Sequence, residues 1–311
     1  MTTLPEFLVA VDGSDAGMHA VTYLSRILSP NQVRIELFHV RAEAPEAVFD
    51  LGGGEGANAY EAEINNWINQ DGNQTQEFVD KATKVFTDAG FPPNAVNATI
   101  RSRKTGIARD IITESELACS AVVIGRKGFG TLPDFMMGGI AAKLAESITH
   151  VPLVIVGSQP EPHKVLVAFD RSRSVREGFK NISNLFSKSL EEILLCHVIR
   201  PLSVPLPVTC TYFTTKTEAH WLDEQSQRIV PLMVDMKKHL SSIGFDPKIF
   251  RTAILKEKAS RADAIARAAD AHGFGTIVVG RRGSNVVDEF TMGRVTRKLL
   301  SLAFNRAVWI I

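Results

Sequence analysis

The chain has 311 residues, 45% hydrophobic and 22% charged, with a formal net charge of +1 at pH 7. Domains usually run about 100–200 residues, so this length suits two cores better than one. The near-neutral balance gives no electrostatic case for nucleic acid or an anionic membrane as a partner, and no apolar run of about 18 residues points to a membrane span.

The N-terminal stretch has no basic segment followed by a long apolar run, so no secretory signal is expected. Cys119, Cys196 and Cys210 show no metal-binding spacing. So sparse a set fits a reducing compartment, and the expected location is the cytoplasm.

From the N-terminus, short Val- and Ile-rich runs alternate with longer amphipathic ones. Strands are predicted at 7–11, 33–40, 98–101, 121–124 and 153–156. They lack strict alternation, as expected when helices cover both faces of a parallel sheet. A first helix begins behind Ser14, a good N-cap, with Met18, Val21, Leu24 and Leu28 along one stripe. A second covers 61–89, with a break or kink expected at Asp71-Gly72; a third covers 107–117, and a fourth starts near Gly139. This order predicts a doubly wound α/β sheet.

The order then repeats, with strands predicted at 165–169, 193–198, 248–251, 276–279 and 307–310. The second helix of this half contains Pro231, which lacks a backbone N–H and is expected to kink or divide it. Long irregular stretches follow the second strand in each half, at 41–58 and 200–218; loops of that length are often functional. The tract LGGGEGAN (51–58) reads as a lid or surface loop.

The halves also match letter by letter. FLVAVDGSDAG (7–17) answers to VLVAFDRSRSV (165–175), IELFHVRAEAP (35–45) to ILLCHVIRPLS (193–203), and AVVIGRKG (121–128) to TIVVGRRG (276–283). Units of about 150 residues are too long for a solenoid repeat and suit whole domains. Two domains are therefore predicted, 1–157 and 164–311, joined by a Pro-bearing linker at 158–163.

A glycine frame, G-x2-G-x9-G, occurs in both halves as Gly125, Gly128 and Gly138, and as Gly280, Gly283 and Gly293. Each frame begins directly after a strand, on the sheet edge where ligands bind in open α/β folds. Glycine lets the backbone approach a ligand, and the next helix start offers free N–H groups to phosphate. Lys127 and Arg282 add a cation to each loop. The alternative is a buried turn that needs the same glycines for packing. GxxxxGK[ST] is absent, and the first strand–helix turns, DGSDAG and DRSRSV, are not GxGxxG.

Together, VAVDGS (9–14), the HV that ends the second strand, and VVIGRKG with its glycine frame resemble the universal stress protein family in its tandem form. The resemblance covers nearly the whole chain. It implies two tandem five-stranded parallel α/β domains, Rossmann-like and of the adenine nucleotide alpha hydrolase type. It also implies pairing of the domains through their last strands, which would cover apolar edges, with further homodimerisation open. In nucleotide-binding members the ends of strands one and two hold adenine. Those positions correspond here to Ala10, Val11, Asp12 and Val40, and to Ala168, Phe169, Asp170 and Val198. The ribose would lie by Gly125 or Gly280. Phosphates would lie by Gly128, Gly138 and the residue after it, or by Gly283, Gly293 and the residue after it.

That last residue departs from the family's Ser or Thr, being Gly139 in one half and Arg294 in the other. Gly139 loses a hydroxyl hydrogen bond of about 0.5–1.5 kcal/mol. Arg294 either grips phosphate in two places or fills the cradle, and the Phe169 ring fills the adenine space if it faces the cleft. On these grounds the first half is the better expected site. Asp12 and Asp170 either hold adenine, help place Mg²⁺ on phosphates, or cap the next helix. His39 and His197 are expected to be packing residues, Cys196-His197 is too small a set for a metal, and Asp134 and Glu289 read as solvated loop carboxylates. No triad or paired carboxylates support an enzyme. The expected function is a regulatory module of the stress response that binds ATP, ADP or AMP, with or without Mg²⁺. The alternatives are a nucleotide-free interaction protein or a weak ATPase.

Overall fold

The computed structural model describes residues 4–41, 57–128, 136–158, 160–202, 214–257, 260–283 and 291–311. Asp134, Glu289, Cys210 and most of the two long stretches after the second strands lie outside the described residues. The first half runs β1 (Glu6–Ala10), α1 (Asp15–Ile27), β2 (Arg34–Arg41), α2 (Ala57–Asp88), β3 (Val96–Ser102), α3 (Ile107–Ala118), β4 (Ala121–Gly125), α4 (Gly139–Ser147) and β5 (Leu153–Val156). The second repeats it as β6 (Lys164–Ala168), α5 (Arg173–Ser183), β7 (Glu192–Ile199), α6 (Thr215–Ser242), β8 (Phe250–Lys256), α7 (Arg261–His272), β9 (Thr276–Val279), α8 (Arg294–Leu302) and β10 (Ala307–Ile310). Among the described residues no helix is long and apolar enough to cross a membrane.

All ten strands join one sheet, in the order β3-β2-β1-β4-β5-β10-β9-β6-β7-β8. Every pairing is parallel except the seam, where β5 and β10 run antiparallel with Trp309 opposite Val154 and Ile310 opposite Leu153. In each half the strand order reverses between the first and fourth strands, which places a switch point between β1 and β4 and another between β6 and β9.

Side chains alternate across the strands, and each alternate set enters a different core. Phe7 and Val9 join Val165, Val167 and Trp309 on one face, whereas Leu8 joins Leu166, Val308 and Ile310 on the other. Both cores thus run through the seam. Trp309 is fully buried there, its Nε1 donating to the Tyr23 hydroxyl at 2.8 Å. That hydroxyl also bonds Thr276 Oγ1 at 2.9 Å, and burial raises its pKa well above the ordinary tyrosine value.

Three predicted boundaries need correction. The second helix does not break at Asp71-Gly72, because α2 is continuous over 32 residues. One interior glycine costs only about 1 kcal/mol against alanine. Pro231 likewise does not divide α6. A proline costs about 3 kcal/mol in a helix, while Ile229, Met233, Met236 and Leu240 are buried under α6 and contribute about 1.5–3 kcal/mol each. The strand predicted at 248–251 begins instead at Phe250, because Pro247–Ile249 is a 3-10 turn whose cap, Asp246, accepts the Lys248 N–H at 2.9 Å.

Candidate functional site

Each first strand delivers an aspartate to the carboxyl edge of the sheet, and the two aspartates are held in the same way. Asp12 Oδ1 accepts from the Ser14 backbone N–H at 3.0 Å and from the Ser14 hydroxyl at 2.5 Å. Ser14 in turn caps α1 by accepting the Gly17 N–H. In the second half Asp170 Oδ1 takes the Ser172 N–H and hydroxyl at 2.9 and 2.5 Å, and Ser172 caps α5 through the Val175 N–H. Each aspartate therefore orients the cap and is not itself the cap.

The two histidines are also paired features. His39 Nδ1 donates to the Val11 carbonyl at 2.9 Å and His197 Nδ1 to the Phe169 carbonyl at 2.7 Å, which ties the end of the second strand to the end of the first. Burial, the largest influence, lowers the His197 pKa, although the Phe169 carbonyl and the Asp170 charge oppose it. A neutral, backbone-bound imidazole fits the packing role expected of it. The Cys196 thiol beside it is buried and pushed up to about 12, so it is not a ready thiolate.

The glycine frames close similar loops. Gly138 N–H donates to the Arg126 carbonyl and Gly293 N–H to the Arg281 carbonyl, both at 2.9 Å. These glycines are the N-caps of α4 and α8. The first glycine in each frame is demanded by packing. A Cβ on Gly125 would stand 2.6 Å from the Ala16 carbonyl oxygen, and one on Gly280 would run into Val175 Cγ2.

The middle glycines differ. A Cβ on Gly128 would lie 2.5 Å from Asp12 Oδ2, but on Gly283 it would lie 3.8 Å from Asp170 Oδ2. The carboxylate leans on the loop in the first half and stands clear of it in the second.

Beside that gap lies a cavity of about 500 Å³. All nine residues singled out in the second half line it: Ala168, Phe169, Asp170, Val198, Gly280, Arg282, Gly283, Gly293 and Arg294. Phe169 is buried in the core on the face that carries Val175 and Phe179, so its ring stands in the wall and leaves the cavity open. Arg294 is exposed at the first turn of α8 and also leaves the space unfilled. Thr296, one turn position further, fastens α8 to the strand end by donating to the Gly280 carbonyl at 2.7 Å. Ala141 stands at the matching place in α4.

The first-half set sits on matching elements. Ala10 ends β1 and Val11 and Asp12 follow it, with Val11 N–H bonded to the Phe38 carbonyl at 3.0 Å; Val40 is buried near the end of β2. Gly125 ends β4, Lys127 and Gly128 follow it, and Gly138 and Gly139 open α4. A Cβ on Gly139 would meet nothing within 4 Å.

The sequence reading missed several cationic residues of the cavity wall. Arg171, Arg200, Arg261 and Lys298 line it with Arg282 and Arg294, and Trp221 closes one side, its Nε1 donating to the Arg200 carbonyl at 3.2 Å. Lys298 is paired with Asp263 at 2.5 Å. Arg171, Arg200, Arg282 and Arg294 have no ion-pair partner among the described residues. The first-half counterparts of the six cations are Gly13, Ala42, Ile107, Lys127, Gly139 and Lys143, of which only two are charged. Aligning the two halves for charge as well as for glycine would have revealed this. Among the described residues no group of three or more His, Cys, Asp or Glu side chains is placed to hold a metal ion.

Comparison with known proteins bears on the family and the fold. A sequence model of the universal stress protein family matches residues 5–157 and again 162–306. A universal stress protein from Mycolicibacterium smegmatis (strain ATCC 700084 / mc(2)155) is 25% identical over 195 residues, 61% of this chain; the match spans 63% of that curated relative's length. The solved structure of a universal stress protein from Archaeoglobus fulgidus DSM 4304 superposes with a TM-score of 0.58 at 15% identity, covering 98% of this chain and 97% of the other. A functionally unknown protein from Pseudomonas aeruginosa PAO1 superposes with a TM-score of 0.53 at 12% identity, covering 99% and 92%. Matched twice along its length and folded as two joined α/β units, the chain belongs to the universal stress protein family.

Proposed function

We propose that the protein is a regulatory module of the stress response that binds an adenine nucleotide, with ATP as the ligand and the second-half cleft as the principal site. The observation that carries this reading is the cavity itself. Its volume of about 500 Å³ falls within the range of small-molecule sites, about 300–1,000 Å³. Four arginines without ion-pair partners among the described residues line it, and a guanidinium binds phosphate in a planar, two-point contact. Following the family resemblance, Ala168, Phe169, Asp170 and Val198 would hold the base, and Gly280 would lie at the ribose. Gly283, Gly293, Arg282 and Arg294 would take the phosphates. Magnesium would arrive on those phosphates. The first half keeps the same frame, but its Asp12 carboxylate lies against Gly128, and it is the weaker site in this reading.

Binding then favours whichever conformation of the protein holds the ligand best, and so changes the surface offered to partners. The test is to denature the purified protein by heat, analyse released nucleotide, and titrate stripped protein with Mg-ATP. Release of adenine nucleotide, or saturable binding abolished by Arg282→Ala with Arg294→Ala, supports the reading. Neither release nor binding at millimolar ATP overturns it and leaves a nucleotide-free interaction protein. Turnover in the same titration would mark a weak ATPase.

A further inference from the structure

We propose that the second-half cavity selects a nucleotide phosphorylated on both sides of the nucleoside, at the 5′ and the 3′ positions, over one whose phosphates form a single chain. This rests on the nucleotide reading above and names the ligand class within it. The cations of the wall fall into two groups. Arg282 and Arg294 stand at the glycine frame, after β9 and at the start of α8, with Lys298 one turn along. Arg200 follows β7, and Arg261 opens α7 after β8, its Nε donating to the Val198 carbonyl at 3.4 Å. In the order β9-β6-β7-β8, the ends of β9 and β7 are two strand spacings apart, about 10 Å. Arg171 follows β6 between them.

A 5′-phosphate chain lying on the glycine frame uses only the first group. The second group, whose like charges both line the cavity, is then left uncompensated: after burial, the positive charge of Arg200 is the next influence pulling the Arg261 pKa down. Asp170 is the acidic side chain in the cavity wall among the described residues, and its Oδ1 is already committed to Ser172. An anion placed between Arg200 and Arg261 would relieve the repulsion. In the first half the counterparts of Arg171, Arg200 and Arg261 are the uncharged Gly13, Ala42 and Ile107, so these three positions are cationic in the second half alone.

ADP and adenosine 3′,5′-bisphosphate each carry two phosphates and differ in where they sit, so their affinities for the full chain, measured by calorimetry, test the idea directly. The bisphosphate is expected to bind about tenfold tighter or more. Arg200→Ala should remove most of that preference while changing ADP affinity by no more than about threefold, and Arg200→Lys should retain much of it. The Arg200 side chain is exposed and has no hydrogen bond or ion pair among the described residues, so the variants test recognition and not folding. Equal affinities, a preference for ADP, or a preference untouched by Arg200→Ala overturns the inference while the nucleotide reading stands. If neither ligand binds at millimolar concentration, the nucleotide reading fails and takes the inference with it.

Discussion

The two halves share one backbone plan and differ in how the first-strand aspartate meets the glycine loop. In the first half Asp12 lies against Gly128 and the neighbouring wall positions are mostly uncharged. In the second Asp170 stands clear of Gly283 and arginines gather around the opening. A retained glycine therefore has two meanings. It marks a packing constraint where a neighbour already touches it, and leaves room beside the backbone where none does.

Substitutions at matched positions can break this comparison. The largest effect is expected at the first glycines. Gly125→Ala sets a methyl 2.6 Å from the Ala16 carbonyl oxygen, and backbone cannot yield cheaply; a loss of about 3 kcal/mol in denaturant unfolding is expected. Gly280→Ala meets chiefly the Val175 side chain, with the Arg282 carbonyl oxygen next at 3.2 Å. Its cost should be smaller and coupled to Val175→Ala by about 1 kcal/mol or more in a double-mutant cycle. Equal, uncoupled costs would show that the two strand ends are packed alike.

Next come the arginines proposed to take the phosphates. Arg294→Ala or Arg282→Ala should each weaken ATP binding by about 1.5–3 kcal/mol, roughly tenfold to a hundredfold in Kd, with the melting temperature unchanged. Affinity that stays put would move the ligand elsewhere.

The middle glycines sharpen the contrast further. Gly128→Ala must displace a carboxylate held by two bonds to Ser14, and about 1–3 kcal/mol of stability should be lost. Gly283→Ala finds ordinary contact distance and should alter stability by less than about 0.5 kcal/mol. Identical unfolding curves for the two variants would mean that the halves do not differ here.

The smallest effect is the pH response of His197. Burial holds its folded pKa below the ordinary value, so between the two values the unfolded chain binds more protons. Stability therefore rises with pH up to the ordinary histidine value, about 6.5, and falls as pH drops below it. His197→Gln should flatten that slope, by less than about 1 kcal/mol in all. A slope unchanged by the substitution would place the titration elsewhere.

Much of this was legible in the sequence, because strands buried on both faces write themselves as apolar runs and a duplicated domain writes itself twice. The continuity of α2 and α6 was not. Gly72 and Pro231 are local signals, and what outweighs the proline, as Met233 and Met236 show, is burial in the core shared with other elements. The cleft residues of the second half were found from motif position, whereas Arg171, Arg200 and Arg261 were not. They follow three different strands, and only the parallel sheet brings those three ends together. The gap between Asp170 and Gly283 was beyond reach for another reason: it differs from its first-half counterpart by little more than an ångström, a scale on which sequence carries no mark.

The antiparallel seam between β5 and β10 has a consequence for how the protein responds to dilution. Two separate subunits joined by four-residue strands would come apart at low concentration. Here a tether of a few residues between β5 and β6 keeps the partner at high effective concentration, whatever the amount of protein present. Partnership without symmetry follows, since one half can change its ligand without obliging the other to change with it.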